Sequence, residues 1–155
     1  MGSALRYDSI PRDKSAVAGT MLIRPILQPE IEQARLLLVE NDWGSRVSDP
    51  LVFARLVEKS QIALVAVEQE KIVGFLRAIS DGVFNGYISM VVIAASHRRR
   101  GIGAALVNAA MGDDLRMTWV LRTGRVGAAD FYKSLGFSRS ELAMERPGVR
   151  DAFSS

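Results

Sequence analysis

Residues 97–103 read His97, Arg98, Arg99, Arg100, Gly101, Ile102, Gly103: three guanidinium groups and two glycines ahead of an apolar, helix-spaced run. Consecutive like charges repel, and glycine weakens any regular element it enters. The combination makes chemical sense around an anion. Free amides in a helix's first turn, with the positive end of its dipole, attract phosphate. Glycine has no Cβ to hold that phosphate away, and flanking arginines present forked donors matched to its oxygens. The plain alternatives are a solvated corner or a patch for RNA. An RNA surface would set stacking aromatics beside the arginines, and this stretch has none.

Other chemistries are narrowed by what the chain lacks. It contains no cysteine, which excludes disulfides, thiolate metal sites and cysteine nucleophiles and suits a reducing cytosol. His97 is its only histidine, so neither a His-rich metal site nor a Ser-His-Asp triad is expected, and no metal is assigned. A net charge of +3 is mildly basic, short of the broad cationic face of a nucleic-acid binder. The longest apolar run, residues 87–95, is far below the roughly 20 residues that cross a bilayer. At 155 residues one core is expected. Residues 1–19 read as a flexible extension, 20–147 as the folded domain and 148–155 as a tail.

The elements that must position the glycine segment follow from periodicity. Residues 20–27 form a short strand stopped near Pro25. Ile31, Ala34, Leu37 and Leu38 lie at helical spacing, and residues 42–50 break that helix. Asp49 followed by Pro50 starts a second helix. Residues 61–79 are two β-rich runs around a charged turn, a hairpin. Residues 87–95 form a third, central strand, and Ile102, Ala105, Leu106 and Ala109 mark a helix beginning at the glycines. Residues 117–122 make a buried strand. Ala128, Phe131, Tyr132 and Leu135 make a helix stopped by Gly136, and residues 141–146 alternate as an edge strand. The expected class is α/β, a mixed, mostly antiparallel sheet with helices on both faces in the order β-α-α-β-β-β-α-β-α-β.

Three phosphate-loop patterns compete for the segment. No G-x-x-x-x-G-K-[ST] string exists, and a G-x-G-x-x-G fingerprint fails because Leu106 stands at its third glycine. The pattern [RQ]-x-x-G-x-[GA] is satisfied by Arg98, Gly101 and Gly103. With it go Gly74 within residues 71–78, the strand–loop–helix of residues 88–107, and Ala128, Tyr132, Gly136 and Phe137 in an A-x-x-x-Y-x-x-x-G-F spacing. In these four segments, taken in order across residues 21–146, the chain resembles the GNAT superfamily of N-acetyltransferases.

That resemblance implies acetyl-CoA as acetyl donor and a primary amine, of a small molecule or a peptide, as acceptor. It implies direct attack in a ternary complex, since no residue looks like a covalent nucleophile. The pantetheine arm would lie between splayed strands, bonding backbone groups of Val91, Val92 and Ile93, with the Val91 amide polarising the thioester carbonyl. Amides from Arg99 through Arg100, Gly101, Ile102 and Gly103 to Ala104 would wrap the pyrophosphate, with the side chains of Arg98, Arg99 and Arg100 screening its charge. Arg125 stands where many relatives carry asparagine and would reach pantetheine or phosphate. Tyr132 would protonate the departing thiolate, or else serve as core packing. Relatives often carry a carboxylate base on the strand over residues 87–93. This chain has none there, which leaves Asp81, Glu68, a water relay or no base at all; Asp81 also reads as an ordinary turn residue, and His97 as a loop residue rather than a base. Asp42, Trp43 and Asp49 would wall the acceptor site, or act as a core anchor and a helix cap, the plainer roles; Phe84, Tyr87 and Ser89 would face the pocket. A homodimer through a sheet edge fits such a fold, and a non-catalytic acyl-CoA-binding module is the rival function.

Overall fold

The two apolar runs around Gln69 and Glu70 form the central hairpin of a five-stranded sheet in the computed structural model, which describes residues 21–149. The expected extension over residues 1–19 lies outside the described residues, as does the end of the expected tail. Both turn residues adopt positive φ, 50° and 61°. A two-residue connection needs that left-handed pair to match the twist of its strands.

Two compact units make up the chain, one ending at Leu121 and one beginning at Arg122. In the first, β1 (Met21–Pro25) leads through a 3-10 turn into α1 (Ile31–Leu38), a π-turn over Val39–Trp43, the single turn α2 (Gly44–Val47) and α3 (Pro50–Glu58). Then come β2 (Ile62–Glu68), β3 (Lys71–Ser80), β4 (Asn85–Ile93), α4 (Ile102–Met111) and β5 (Thr118–Leu121). The strands lie in chain order, β1 to β4 antiparallel and β4 with β5 parallel.

Side chains alternate across the sheet and so distribute the helices. Phe75, Met90 and Val92 face α1 and α3, where Ala34, Leu37, Leu38, Phe53 and Val57 complete the main core. Phe53 meets Phe75 edge to face, with centroids 5.9 Å apart. Gly74 faces the other way. A Cβ there would lie 3.1 Å from Leu106 Cδ1 and 3.0 Å from Ile93 Cδ1, so its absence lets α4 settle on the sheet. Helices thus cover both faces.

Asp49 caps α3 as its position beside Pro50 predicts, accepting from the amides of Leu51 (2.9 Å) and Val52 (3.3 Å). Trp43 packs against the core, also the plainer of its two roles. The expected break over residues 42–50 contains one helical turn. The chain departs from helical geometry at Asn41 and Asp42, where Asp42 takes φ 68°, resumes it for the single turn Gly44–Val47, and leaves it again at the extended Asp49.

Two strand expectations need correction. β5 was expected to be buried, yet Val120 is 44% exposed and Thr118 is exposed; it is a four-residue edge strand with one neighbour. Residues 141–146 form no strand at all. Their alternation rests on Leu142 and Met144, which are 95% and 98% exposed, and a two-residue period without a face to bury does not define a strand.

In the second unit, α5 (Ala128–Ser134) ends at Gly136, which has φ 92°. The Gly136 amide donates to Lys133 O (3.1 Å) and the Phe137 amide to Tyr132 O (3.1 Å). This is a Schellman cap, and the Tyr132–Phe137 ring contact at 5.6 Å is its hydrophobic clasp. The Y-x-x-x-G-F spacing therefore has a folding reason of its own.

Candidate active site

Pairing of β5 with β4 stops at Ile88, opposite Leu121, while β4 runs on to Ile93 with only β3 beside it. Among the described residues, no strand pairs with the other edge of Ser89–Ile93. Which groups face that edge follows from the ladder. The Ala94 amide donates to Val73 O at 2.8 Å, so by alternation the Val92 amide also turns toward β3. Val91 and Ile93 direct their N–H and C=O groups the other way, to the open edge. Val92 instead places its side chain in the core. Ser89 is the extra residue of a β-bulge, since Arg77 pairs with Met90 but Ala78 with Ile88.

At the end of β4 the chain makes a short turn over Ala95–His97 and then takes two left-handed residues, Arg99 (φ 62°) and Gly101 (φ 77°). Gly101 is the N-cap of α4, and the helical ladder begins with the Ala105 amide donating to Gly101 O at 3.0 Å. The amides of Ile102, Gly103 and Ala104 precede that first rung and project from the mouth of the helix. A Cβ on Gly101 would meet nothing within 4 Å, so the space above the turn is open. Free amides, a positive helix end and an open approach fit a diphosphate.

The basic side chains of this loop are not equivalent. The Arg98 Nη2 donates to Asn41 Oδ1 at 2.6 Å, and buried Asn41 passes the connection on through Nδ2 to Leu37 O at 2.8 Å. Arg98 Nε also approaches Ile93 O at 3.4 Å. This arginine therefore clamps the loop to the π-turn after α1. Glu68 holds two more side chains of the loop, Arg100 at 2.7 Å and His97 at 2.6 Å. Arg99 forms no ion pair among the described residues.

These contacts bear on the missing base. Arg100, and after it His97, hold the Glu68 carboxyl below the usual carboxylate range. A carboxylate already engaged with two donors is a weak proton acceptor. His97 is occupied at both nitrogens, by Ser96 Oγ at 2.7 Å and by Glu68. Asp81 accepts from the amides of Val83 (2.7 Å), Phe84 (2.8 Å) and Asn85 (3.0 Å), the turn role anticipated for it. Those amides bring its pKa from 3.8 to about 2. Because the folded-state value lies below the unfolded one, Asp81 stabilises the fold above about pH 4 and loses that effect as pH falls through about 2. Asp81→Asn should therefore lower the melting temperature at pH 7, with the difference from wild type closing between pH 4 and pH 2. A gap that stays constant with pH would show that ionisation of Asp81 has no part in the turn.

In the second unit, Arg125 precedes α5, and its carbonyl accepts from the Ala128 amide at 3.2 Å. Tyr132 lies half-buried between Phe131 (centroids 4.9 Å apart) and Phe137, and burial raises its phenol above 10. The phenol thus stays protonated through neutral pH. Periodicity had no means of finding Asn41. A lone asparagine in a polar run carries no signal, and its partner Arg98 is 57 residues away.

No curated protein matches the chain. A family model described as the acetyltransferase (GNAT) domain matches residues 59–139, from the end of α3 through α5 and just over half of the sequence. Many solved structures share the fold. A GNAT-family acetyltransferase from Streptococcus pneumoniae superposes with a TM-score of 0.64 at 20% identity, covering 83% of this chain and 98% of its own. An aminoglycoside acetyltransferase from an uncultured soil metagenomic sample gives 0.61 at 25% identity, over 84% and 99%. A ribosomal-protein-alanine N-acetyltransferase from Brucella melitensis gives 0.63 at 18%, again over 84% and 99%. The matched span contains the open strand, the arginine–glycine loop and the helix it opens, and on that match the chain belongs to the GNAT acetyltransferase family.

Proposed function

We propose that this acetyltransferase moves the acetyl group of acetyl-CoA to a primary amine by direct attack within a ternary complex. The observation that carries the reading is the junction of two backbone sets: the outward Val91 N–H and C=O and Ile93 N–H on β4, whose pairing with β5 stops at Ile88, and the Ile102–Ala104 amides at the mouth of α4. The first set suits an extended amide-bearing arm and the second a diphosphate, and one short loop joins them. Arg99, and Arg100 on release from Glu68, add charge for the phosphates. Val91 N–H donates to the thioester oxygen as it gains charge. The amine nitrogen bonds to the carbonyl carbon, the carbon–sulfur bond breaks, and the thiolate takes a proton, the role that the resemblance gives to Tyr132. The amine proton leaves to water, since Asp81, Glu68 and His97 are committed elsewhere.

Thiol release from acetyl-CoA, measured over polyamines, amino acids, aminoglycosides, aryl amines and peptide N-termini, tests the reading. The panel includes the acceptor types named for two of the similar structures. Tight acetyl-CoA binding with no turnover on any amine would favour a binding module instead. Tyr132→Phe keeps both ring contacts, so the fold should hold while single-turnover kcat drops about tenfold. That is below the usual range for general acid catalysis, because a thiolate with a parent pKa near 8.5 leaves fairly well unaided. An unchanged chemical step would remove Tyr132 from the mechanism and leave it the clasp of the α5 cap. Cytoplasmic location and a homodimer remain part of the proposal; among the described residues no helix is long and apolar enough to cross a membrane.

A further inference from the structure

Arg77 is a charged residue in the middle of β3 and only 8% exposed. Its Nε donates to Ser60 Oγ at 2.7 Å, and Ser60 spends its own proton on Leu56 O at 2.6 Å, so the side chain is fixed from one side by the end of α3. No carboxylate forms an ion pair with it among the described residues. Burial pushes the guanidinium below its usual value; the nearby Tyr87 opposes that shift and a second cation, Arg46 of α2, adds to it. A guanidinium held this deep without a counter-charge loses solvation that the Ser60 contact only partly replaces. A second arginine nearby makes the arrangement worse. None of the Arg77 nitrogens is both enclosed and unpartnered. Its η nitrogens, left over from the Ser60 contact, therefore open toward solvent.

The placement matters as much as the charge. Arg77 pairs with Met90, and its neighbour Leu76 pairs with Val91. By alternation Arg77 shares the α1/α3 face with Phe75, and the Ser89 bulge brings Tyr87 onto that face too, opposite Ile79. The guanidinium is thus rooted one residue from the position opposite the Val91 amide, on the face away from α4. The diphosphate mouth belongs to α4, so this face is the one left for an acceptor.

We infer that the acceptor is an amino carboxylate, its carboxylate seated on the Arg77 guanidinium beside Tyr87 and within reach of Arg46, its amine directed to the open edge at Val91. The inference rests on the acetyl-transfer reading above. The ligand supplies the missing counter-charge, and the same two arginines repel amines that carry no anion, which favours the amino acid over its own carboxamide twice over.

Paired acceptors test this: free amino acids against their carboxamides, at saturating acetyl-CoA, with thiol release measured. The acids should exceed the amides at least tenfold in kcat/KM. Arg46→Gln, at an exposed position, should cut that preference at least threefold, mainly through KM of the acids. Arg77→Gln should abolish the preference. Should Arg77→Gln not fold, Arg46→Gln and a binding measurement carry the test. In that measurement N-acetylated amino acids, in the presence of saturating coenzyme A, should raise the wild-type melting temperature while their amides do not. Equal use of acids and amides by the wild type, with Arg46→Gln indifferent, would overturn the carboxylate site and leave acetyl transfer standing. No turnover on any amine would overturn the transfer reading, and the melting experiment would still decide the anion site. Equal stabilisation by acids and amides there would overturn it.

Discussion

Gly103→Glu should weaken acetyl-CoA binding at least a hundredfold, about 2.7 kcal/mol, without lowering the melting temperature. Position 103 is the second residue of α4, inside the turn whose amides precede the first rung of the ladder. A carboxylate there is favourable for the helix. It faces the positive end of the dipole, worth about 0.3–1 kcal/mol, and glutamate forms helix better than glycine by roughly as much again. The same carboxylate would occupy the place proposed for the diphosphate, where like charge costs several kcal/mol. Stability and binding are therefore pushed in opposite directions, which a general folding defect cannot imitate. Gly103→Gln separates charge from bulk: it should lose affinity less than Gly103→Glu, and the gap between the two should narrow as salt rises. Gly101 is a poorer place for this test, because its φ of 77° makes any side chain strained and confounds the two readouts. Titration calorimetry with thermal unfolding reads both quantities. An affinity unchanged in Gly103→Glu would mean that the mouth of α4 holds no phosphate.

Local chemistry explains which features were legible in the sequence. The hairpin around Gln69 and Glu70, the Asp49 cap, the Asp81 turn and the Gly136 stop each depend on a few adjacent residues, and each formed as expected. The arginine–glycine loop belongs to the same class, because a left-handed glycine opening a helix is written in consecutive positions. What escaped were contacts between distant segments. Three consecutive arginines look alike in sequence; in the fold Arg98 serves Asn41, Arg100 serves Glu68, and Arg99 has no ion pair among the described residues. Glu68 is a candidate base only until its two donors are seen. Arg77 stands within an apolar strand, and only the Ser60 contact and the lack of an ion pair among the described residues single it out for the role proposed above. The alternation of residues 141–146 misled for the converse reason: a period needs a surface to bury against, and the sequence does not say whether one is present.

The short pairing of β5 leads to the second large effect. Gly86→Val should destabilise the protein by about 3 kcal/mol, the upper end for an overpacked site. Gly86 is paired with Trp119 across the parallel β4–β5 ladder, and a Cβ on it would lie far inside van der Waals distance of the indole atoms Cζ3, Cε3 and Cη2. The ring lies over the glycine, so a side chain at 86 evicts it or pushes the strands apart. Neither is cheap, because only four residue pairs hold β5 to β4 and an edge strand has no second neighbour to retain it. Gly86→Ala should have the same sign and a smaller size, since a single methyl already reaches the indole. Chemical denaturation followed by Trp fluorescence reports both the loss and the new setting of Trp119, and a Gly86→Val protein as stable as wild type would show that the indole moves away freely. Coenzyme affinity should fall in parallel. The gap proposed for the pantetheine arm begins where β4–β5 pairing ends at Ile88, so a strand displaced from Gly86 would move the boundary between the paired and unpaired parts of the β4 edge. Substitution at 86 should act on binding by that route, through the place at which two strands part, rather than through a lost ligand contact.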